Sequence, residues 1–199
     1  LFSWKDLAGI RLKEIAAGAL IGLVIALGYG TQTIGLQSIS SSESAFLTAL
    51  YVPLVPILLW LLFRKTPQFM TWCGTVLAFL GLVFLTGNGF GAIQLSFGQI
   101  ITLLGSVAIA MEIILIGFFA GKVNVRRVTV IQLGFASIFA FCMMPLAGES
   151  WNPVFSWPLV IILTGLGFAS AAIQLVMNWA QRAVDPAQAA IIYSGEPVW

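Results

Sequence analysis

Long apolar runs separated by short polar connections are the main pattern of this chain. A helix needs about 20 mostly apolar residues to cross the hydrocarbon core of a bilayer. Six runs reach that length, and a seventh is too short to cross. We name them spans A to G, at residues 14–37, 45–63, 68–86, 98–119, 128–146, 158–180 and 187–199. The pattern predicts an all-α polytopic membrane protein.

The positive charges fall on one side of this pattern. All nine lysines and arginines lie before span A or in the B–C, D–E and F–G connections, and the other three connections contain none. Cytoplasmic loops of membrane proteins carry an excess of these residues. We therefore expect span A to run outward and span F inward, in a multi-pass protein of the plasma membrane, which in bacteria is the inner membrane.

Composition agrees with lipid as the solvent and excludes several classes of protein. Of 199 residues, 60% are hydrophobic, 8% are charged and none is histidine, whereas soluble domains carry about 25% charged residues. A net charge of +2 with no dense basic run argues against nucleic acid as a partner. Cys73 and Cys142 lie far apart in apolar runs, so we expect packing roles, with no metal site and no cofactor.

Spans A and B resemble spans F and G, although the pairs cross the bilayer in opposite senses. A shift of 144 residues aligns three identical residues, pairing Gln37 with Gln181, Ala45 with Ala189 and Pro53 with Pro197. Repeats of inverted orientation build many secondary transporters, whose substrate site lies near the midplane at the repeat interface. The alignment therefore favours an inverted-repeat transporter.

Local motifs in both halves resemble one transporter family. Residues 45–55 read AFLTALYVPLV after a polar stretch at 37–43, which is similar to the entry to the fourth helix of the EamA family, in the drug/metabolite transporter superfamily. The second half has NWAQRA at 178–183, AQAA at 187–190 and EPVW at 196–199, similar to that family's entry to the ninth helix. One departure is the basic stretch at 64–67, where the family often carries a Glu.

The resemblance implies ten helices in two inverted five-helix repeats. Spans A to G would then be the third to the ninth helix, so that residues 1–87 complete the first repeat and residues 98–199 form the second without its last helix. The chain is accordingly expected to be a fragment, with two further spans before Leu1 and one after Trp199. Both termini of the intact protein would be cytoplasmic.

Two acidic residues lie where a charge is costly. Glu112 is near the middle of span D, and Glu196 stands about ten residues into span G, directly before Pro197. An ionisable side chain at the bilayer centre costs about 2.5–3.5 kcal/mol on insertion scales. Each is a candidate for solute binding or proton coupling and should face the bundle interior. The alternatives are a protonated Glu112 bonded to a neighbouring helix, and a kinked helix with Glu196 in an aqueous vestibule.

Other polar side chains share helical faces and are weaker candidates for the solute site. They either line a pathway or form interhelical hydrogen bonds. They are Tyr29 and Gln32 in span A, Gln174, Asn178 and Gln181 in span F, and Tyr193 in span G.

Two further groups of residues are expected to have structural roles. We expect Glu43 and Asp185 to stand at helix starts as caps. Small residues are expected to form packing seams, at Gly18, Gly22, Ala26 and Gly30 in span A and at Gly165, Gly167, Ala169 and Ala171 in span F.

These observations favour a secondary transporter that works by alternating access. The resemblance implies small organic metabolites such as amino acids as the solute, and protons are the candidate coupling ion. The alternative is a non-transporting membrane scaffold or accessory subunit. An enzyme has little support, because the chain lacks histidine, an HExxH motif and paired aspartates. Expected partners are the solute and the bilayer, and the sequence leaves monomer and homodimer open.

Overall fold

The fold is helical throughout the part of the chain that the structure describes. A computed structural model describes residues 9–64, 66, 69–70, 72–74, 76–77, 80, 95–147 and 156–193. We number the helices in chain order as α1 Leu12–Gly35, α2 Ser41–Ala49, α3 Tyr51–Phe63, α4 Phe97–Phe119, α5 Val125–Met143, α6 Trp157–Ala180 and α7 Pro186–Tyr193, with a 3-10 turn at Met144–Ala147.

Five stretches of the described chain are long and apolar enough to cross a bilayer. They are α1, the stretch Ser41–Phe63 formed by α2 and α3, α4, α5 and α6. The prediction of an all-α polytopic membrane protein is therefore confirmed, and these stretches correspond to spans A, B, D, E and F. Most of span C and the end of span G lie outside the described residues.

Span B differs from the sequence prediction, because it is divided into α2 and α3 at Leu50. A continuous helix would need residue 53 to donate its N–H to the carbonyl of Ala49. Residue 53 is a proline and has no N–H to donate. A proline is tolerated at little cost only in the first turn of a helix, where N–H groups have no partner within the helix. The division therefore puts Pro53 where its missing donor does least harm.

Five of the described helices begin at side-chain caps. The capping side-chain oxygens accept hydrogen bonds from backbone N–H groups in the first turns of α2, α4, α5, α6 and α7, and they belong to Ser40, Ser96, Asn124, Ser156 and Asp185. Such caps satisfy donors that the helix itself leaves without a partner. The capping role predicted for Asp185 is confirmed, whereas in α2 the cap is Ser40 and Glu43 lies in the first turn.

The chain packs as two compact units, which we describe separately. Unit 1 contains Leu1–Ala26 and Leu115–Val184, and unit 2 contains Leu27–Ile114 and Asp185–Trp199. Each unit takes segments from both halves of the chain. The units are therefore not the sequence repeats 1–87 and 98–199, which stay a prediction.

In unit 1, α1 and α5 lie in close backbone contact. A Cβ atom added to Gly22 would stand 2.5 Å from the Gln132 carbonyl oxygen and 2.9 Å from the Ala136 nitrogen. One turn earlier, Gly18 faces Ile131, so residue numbers rise together along the two helices. The helices are therefore parallel, and a small apolar core of residues from α1, α4 and α5 adjoins them, namely Ala17, Ile21, Ile25, Ile116 and Val128.

In unit 2, the second half of α1 packs against α4. A Cβ atom at Gly28 would meet Ile109, and one at Gly35 would lie 3.1 Å from the Gly98 carbonyl oxygen. Residue numbers rise along α1 as they fall along α4, so these helices are antiparallel. Parallel contact of spans A and E and antiparallel contact of spans A and D are what the alternating topology requires.

The predicted seams of small residues are only partly present. Gly18 and Gly22 pack against α5, but added Cβ atoms at Gly30, Gly165 and Gly167 would meet no described atom within 4 Å. For these three glycines the seam stays a prediction. Residues four positions apart on a helix are rotated by about 40° relative to each other, so Gly30, twelve positions after Gly18, lies about 120° around the helix from it. In α6, both glycines stand on an exposed face.

Candidate functional site

A buried amide cluster in unit 1 joins α5 to α6. The Nε2 of Gln132 donates to the Oε1 of Gln174 at 2.8 Å. The Nδ2 of Asn178 donates to the Oε1 of Gln132 at 3.2 Å and to the backbone carbonyl of Gln174 at 2.8 Å. All three side chains are buried. Gln174 and Asn178 therefore form interhelical hydrogen bonds, which is one of the two roles that the sequence analysis left open for them.

Gln132 is a member of this cluster that the sequence analysis did not single out. It is the one amide side chain in span E, within an otherwise apolar run. An isolated amide at that depth needs a partner, because unpaired polar groups are costly in hydrocarbon. That signal predicts a partner on another helix, but it does not tell which helix.

We expect Gln132→Leu to destabilise the protein by about 1–2 kcal/mol, because both amides of α6 lose a buried partner. The measurement is thermal unfolding of the purified protein in detergent. Ser137→Ala is the matched control, since Ser137 lies on the exposed side of the same helix and bonds only the carbonyl of Leu133 in its own helix. A control variant that loses as much stability as Gln132→Leu would contradict the role of the cluster.

Glu112 is buried in unit 2, with 6% of its surface exposed. It lies on α4 beside the buried residues Ala110 and Ile113. The carboxyl group therefore faces the interior, as expected of an acid in the middle of a span. Its role in solute binding or proton coupling stays a prediction.

Polar side chains join α1, α2 and α4 near the predicted outer side of unit 2. The Nε2 of Gln99 donates to the Oε1 of Glu43, which connects the start of α4 to the start of α2. The Nε2 of Gln32 donates to the Oγ1 of Thr48 at 3.4 Å, which connects α1 to α2. Glu43 therefore does more than occupy a first helical turn, because it also ties two helices together.

The remaining candidates differ in environment. Tyr29 is 54% exposed although it shares a face of α1 with the half-buried Gln32. Tyr193 is the last residue of α7 and is half-buried. Glu196 and Pro197 lie outside the described residues. The structure thus brings Gln174 and Asn178 together.

A second cluster that the sequence analysis missed lies at the predicted cytoplasmic end of unit 1. The buried carboxylate of Glu14 accepts hydrogen bonds from the backbone N–H groups of Arg11 at 2.9 Å and Asn124 at 3.2 Å. It also pairs with the Nη1 of Arg127 at 3.4 Å, and Arg127 donates to the carbonyl of Gly9 at 2.8 Å. The first turns of α1 and α5 are therefore held together by one charged group from each helix.

These clusters contain amides, hydroxyls and single charges rather than metal ligands. Within residues 9–64, 95–147, 156–193 and the isolated described positions between them, no three acidic or cysteine side chains come together to hold a metal ion. The chemistry that these residues offer is hydrogen bonding and two buried carboxyl groups, those of Glu14 and Glu112.

Comparison with known proteins finds a family match over the first part of the chain. Residues 1–87 match the EamA-like transporter family, which confirms the predicted resemblance for this part. This match and the apolar helices support an integral, multi-pass membrane protein.

Similarity to a known relative extends beyond the residues that match this family. The chain is 28% identical over 200 residues to an uncharacterized transporter of Archaeoglobus fulgidus, and the alignment covers 100% of this chain. It covers 62% of that relative, so the chain spans less than two thirds of the relative's length. No solved structure matches the chain.

Proposed function

We propose that the intact protein is a secondary transporter that moves a small organic solute across the plasma membrane by alternating access. The observation that carries this proposal is the match of residues 1–87 to the EamA-like transporter family. The 28% identity over the whole chain to an uncharacterized transporter supports it. The protein lies in the lipid bilayer, and the connections that carry lysine and arginine face the cytoplasm. We propose amino acids and related metabolites as the solute class.

Helix bounds support an inverted repeat within this transporter. Helices α1 and α6 are both 24 residues long, and the start and the end of α6 each lie 145 positions after those of α1, at 12 and 157 and at 35 and 180. The next helices, α2 and α7, begin at 41 and 186, again 145 positions apart. The helix register thus differs by one residue from the 144-residue shift of the sequence. Matching helices with opposite direction are typical of secondary transporters.

The two predicted polar faces coincide only in part in this register. Tyr29 corresponds to Gln174 at the offset of 145, whereas Gln32 corresponds to Met177. Thr33, which the sequence analysis did not single out, corresponds to Asn178. The Thr33 hydroxyl donates to the backbone carbonyl of Tyr29 at 2.8 Å. The Asn178 amide donates to the backbone carbonyl of Gln174, also at 2.8 Å. Equivalent positions of the two repeats therefore carry polar groups with the same local hydrogen bond, which supports a shared part in the solute pathway.

Glu112 is the residue we propose for proton coupling or for binding an amine of the solute. A buried carboxyl group in the middle of a span is costly, and such groups mark substrate and proton pathways in membrane proteins. A carboxylate pairs with a solute ammonium group, and a protonated carboxyl group releases it. Exchange of the two states would couple a proton to the solute.

We expect Glu112→Gln to abolish solute flux, because the amide keeps the shape of the side chain but cannot ionise. The intact protein in proteoliposomes would be given single radiolabelled amino acids under a pH gradient. Glu112→Asp should retain part of the flux. Asp185→Asn is the matched control, since it removes an acid from unit 2 and keeps the helix cap.

Two outcomes would contradict this proposal at different levels. Flux at the wild-type rate in Glu112→Gln would remove Glu112 from the mechanism and leave the transporter intact. A wild-type protein that moves no amino acid, sugar or drug-like cation, and gains no thermal stability from any of them, would favour a scaffold.

A further inference from the structure

A notch at the end of α3 has no part in the transport proposal. Its volume is about 320 Å³, and it is lined by Trp60, Leu61 and Arg64. The helix ends at Phe63, where Arg64 adopts a left-handed φ of 54° and donates its N–H to the Trp60 carbonyl at 2.8 Å. A guanidinium group and an indole ring therefore line one apolar concavity.

The aromatic side of the notch is typical of a membrane interface. Trp60 and Trp72 meet edge to face, with ring centroids 6.2 Å apart and an interplanar angle of 73°. Each remains more than two-fifths exposed. Tryptophan collects at the level of the lipid headgroups because its ring is apolar and its N–H is polar. The pair therefore indicates that the end of α3 lies at headgroup depth.

The charged side of the notch has no protein partner in the described part of the chain. Arg64 is exposed, and its guanidinium makes no hydrogen bond or ion pair with any residue that the structure describes. Guanidinium groups bind phosphate through two parallel hydrogen bonds. Beside the notch, Leu61 and Leu62 are 69% and 53% exposed, which offers an apolar surface to an acyl chain.

We propose that this notch binds the headgroup of an acidic phospholipid of the cytoplasmic leaflet. The phosphate would bind Arg64, the indole of Trp60 would lie against the glycerol region, and the acyl chains would follow Leu61. The B–C connection that follows is basic and therefore cytoplasmic by the charge rule, and anionic lipids of that leaflet attract such residues. The inference depends on this orientation and not on transport.

The test is native mass spectrometry of the full chain released from mixed micelles of phosphatidylglycerol and phosphatidylcholine with identical acyl chains. We expect the wild type to retain phosphatidylglycerol in preference. Arg64→Asn should lower that preference about tenfold, since the lipid phosphate loses a charge-assisted hydrogen-bond partner. Asparagine tolerates the left-handed conformation, so the helix end is kept.

Arg182→Asn is the matched control. Arg182 also follows a membrane helix on the predicted cytoplasmic side, three residues after the exposed Trp179, but it does not line the notch. Its loss should leave the lipid preference unchanged. Equal losses in the two variants would overturn the proposal, because the preference would then report overall charge. Displacement of the lipid by excess inorganic phosphate would also overturn it, in favour of a site for free phosphate.

Discussion

Gly22→Ala is expected to destabilise the protein by about 3 kcal/mol or more, the upper range for overpacking a close contact. The new Cβ would meet backbone atoms of α5 at 2.5 and 2.9 Å, and neither atom can move without shifting the helix. Thermal or denaturant unfolding of the purified protein measures this loss. The effect should be large because α1 and α5 meet through their backbones.

Gly30→Ala is the matched control on the same helix. A Cβ at Gly30 meets no described atom within 4 Å, so alanine should raise helix stability by about 0.5–1 kcal/mol through its better propensity. Opposite signs for the two substitutions would be explained only by local packing. A comparable loss in both variants would show that α1 and α5 do not approach each other as described.

Arg127→Gln should cost about 1.5–3 kcal/mol, the range for losing a hydrogen bond to a charged group, since Arg127 is itself 19% exposed. The side chain of Glu14 is 5% exposed, so its carboxylate would keep only two backbone donors after Arg127 is lost. Urea or thermal unfolding in detergent would measure the change. Lys13→Gln removes a cation from the exposed side of the same helix end and should change stability by less than about 0.5 kcal/mol.

The double variant Glu14→Gln with Arg127→Gln separates charge from packing. Neutralising the buried carboxylate removes the penalty of an unpaired charge, so the double variant should be more stable than Arg127→Gln alone. A double variant that is no more stable would mean that Arg127 acts through its contact with the Gly9 carbonyl or through packing. The comparison therefore tests the ion pair directly.

If the amide cluster of unit 1 contacts the solute, its existing hydrogen bonds restrict which solutes it can bind. Two of its hydrogen bonds use both N–H groups of the Asn178 side chain, so a solute that accepts a hydrogen bond from this amide must replace an existing bond. Recognition there would be selective for solutes that carry both a donor and an acceptor, which amino acids do. Solutes that lack one of them would leave a buried amide group unpaired, at a cost of about 1–3 kcal/mol.

The sequence predicted the apolar spans and the family resemblance of residues 1–87. Hydrophobic length alone predicted five helices that the structure contains, because lipid rewards continuous apolar runs. Local chemistry also predicted the Asp185 cap, and the cost of a charge in lipid predicted that Glu112 would be buried. Span length, helix capping and the burial of a charged residue each depend on a short segment of the chain, so the sequence is enough to predict them.

Only the tertiary structure decided which faces of the helices meet. Gln132 finds its partners 42 and 46 positions away, and Glu14 finds Arg127 at a separation of 113. In water, an apolar stripe marks the buried face of a helix. In a bilayer, the faces toward lipid and toward protein are both apolar. Periodicity therefore does not distinguish Gly22, which packs against α5, from Gly30, beside which the structure describes no neighbouring atom. Partner choice therefore comes from shape and from a few polar groups, and these act only when the helices are together.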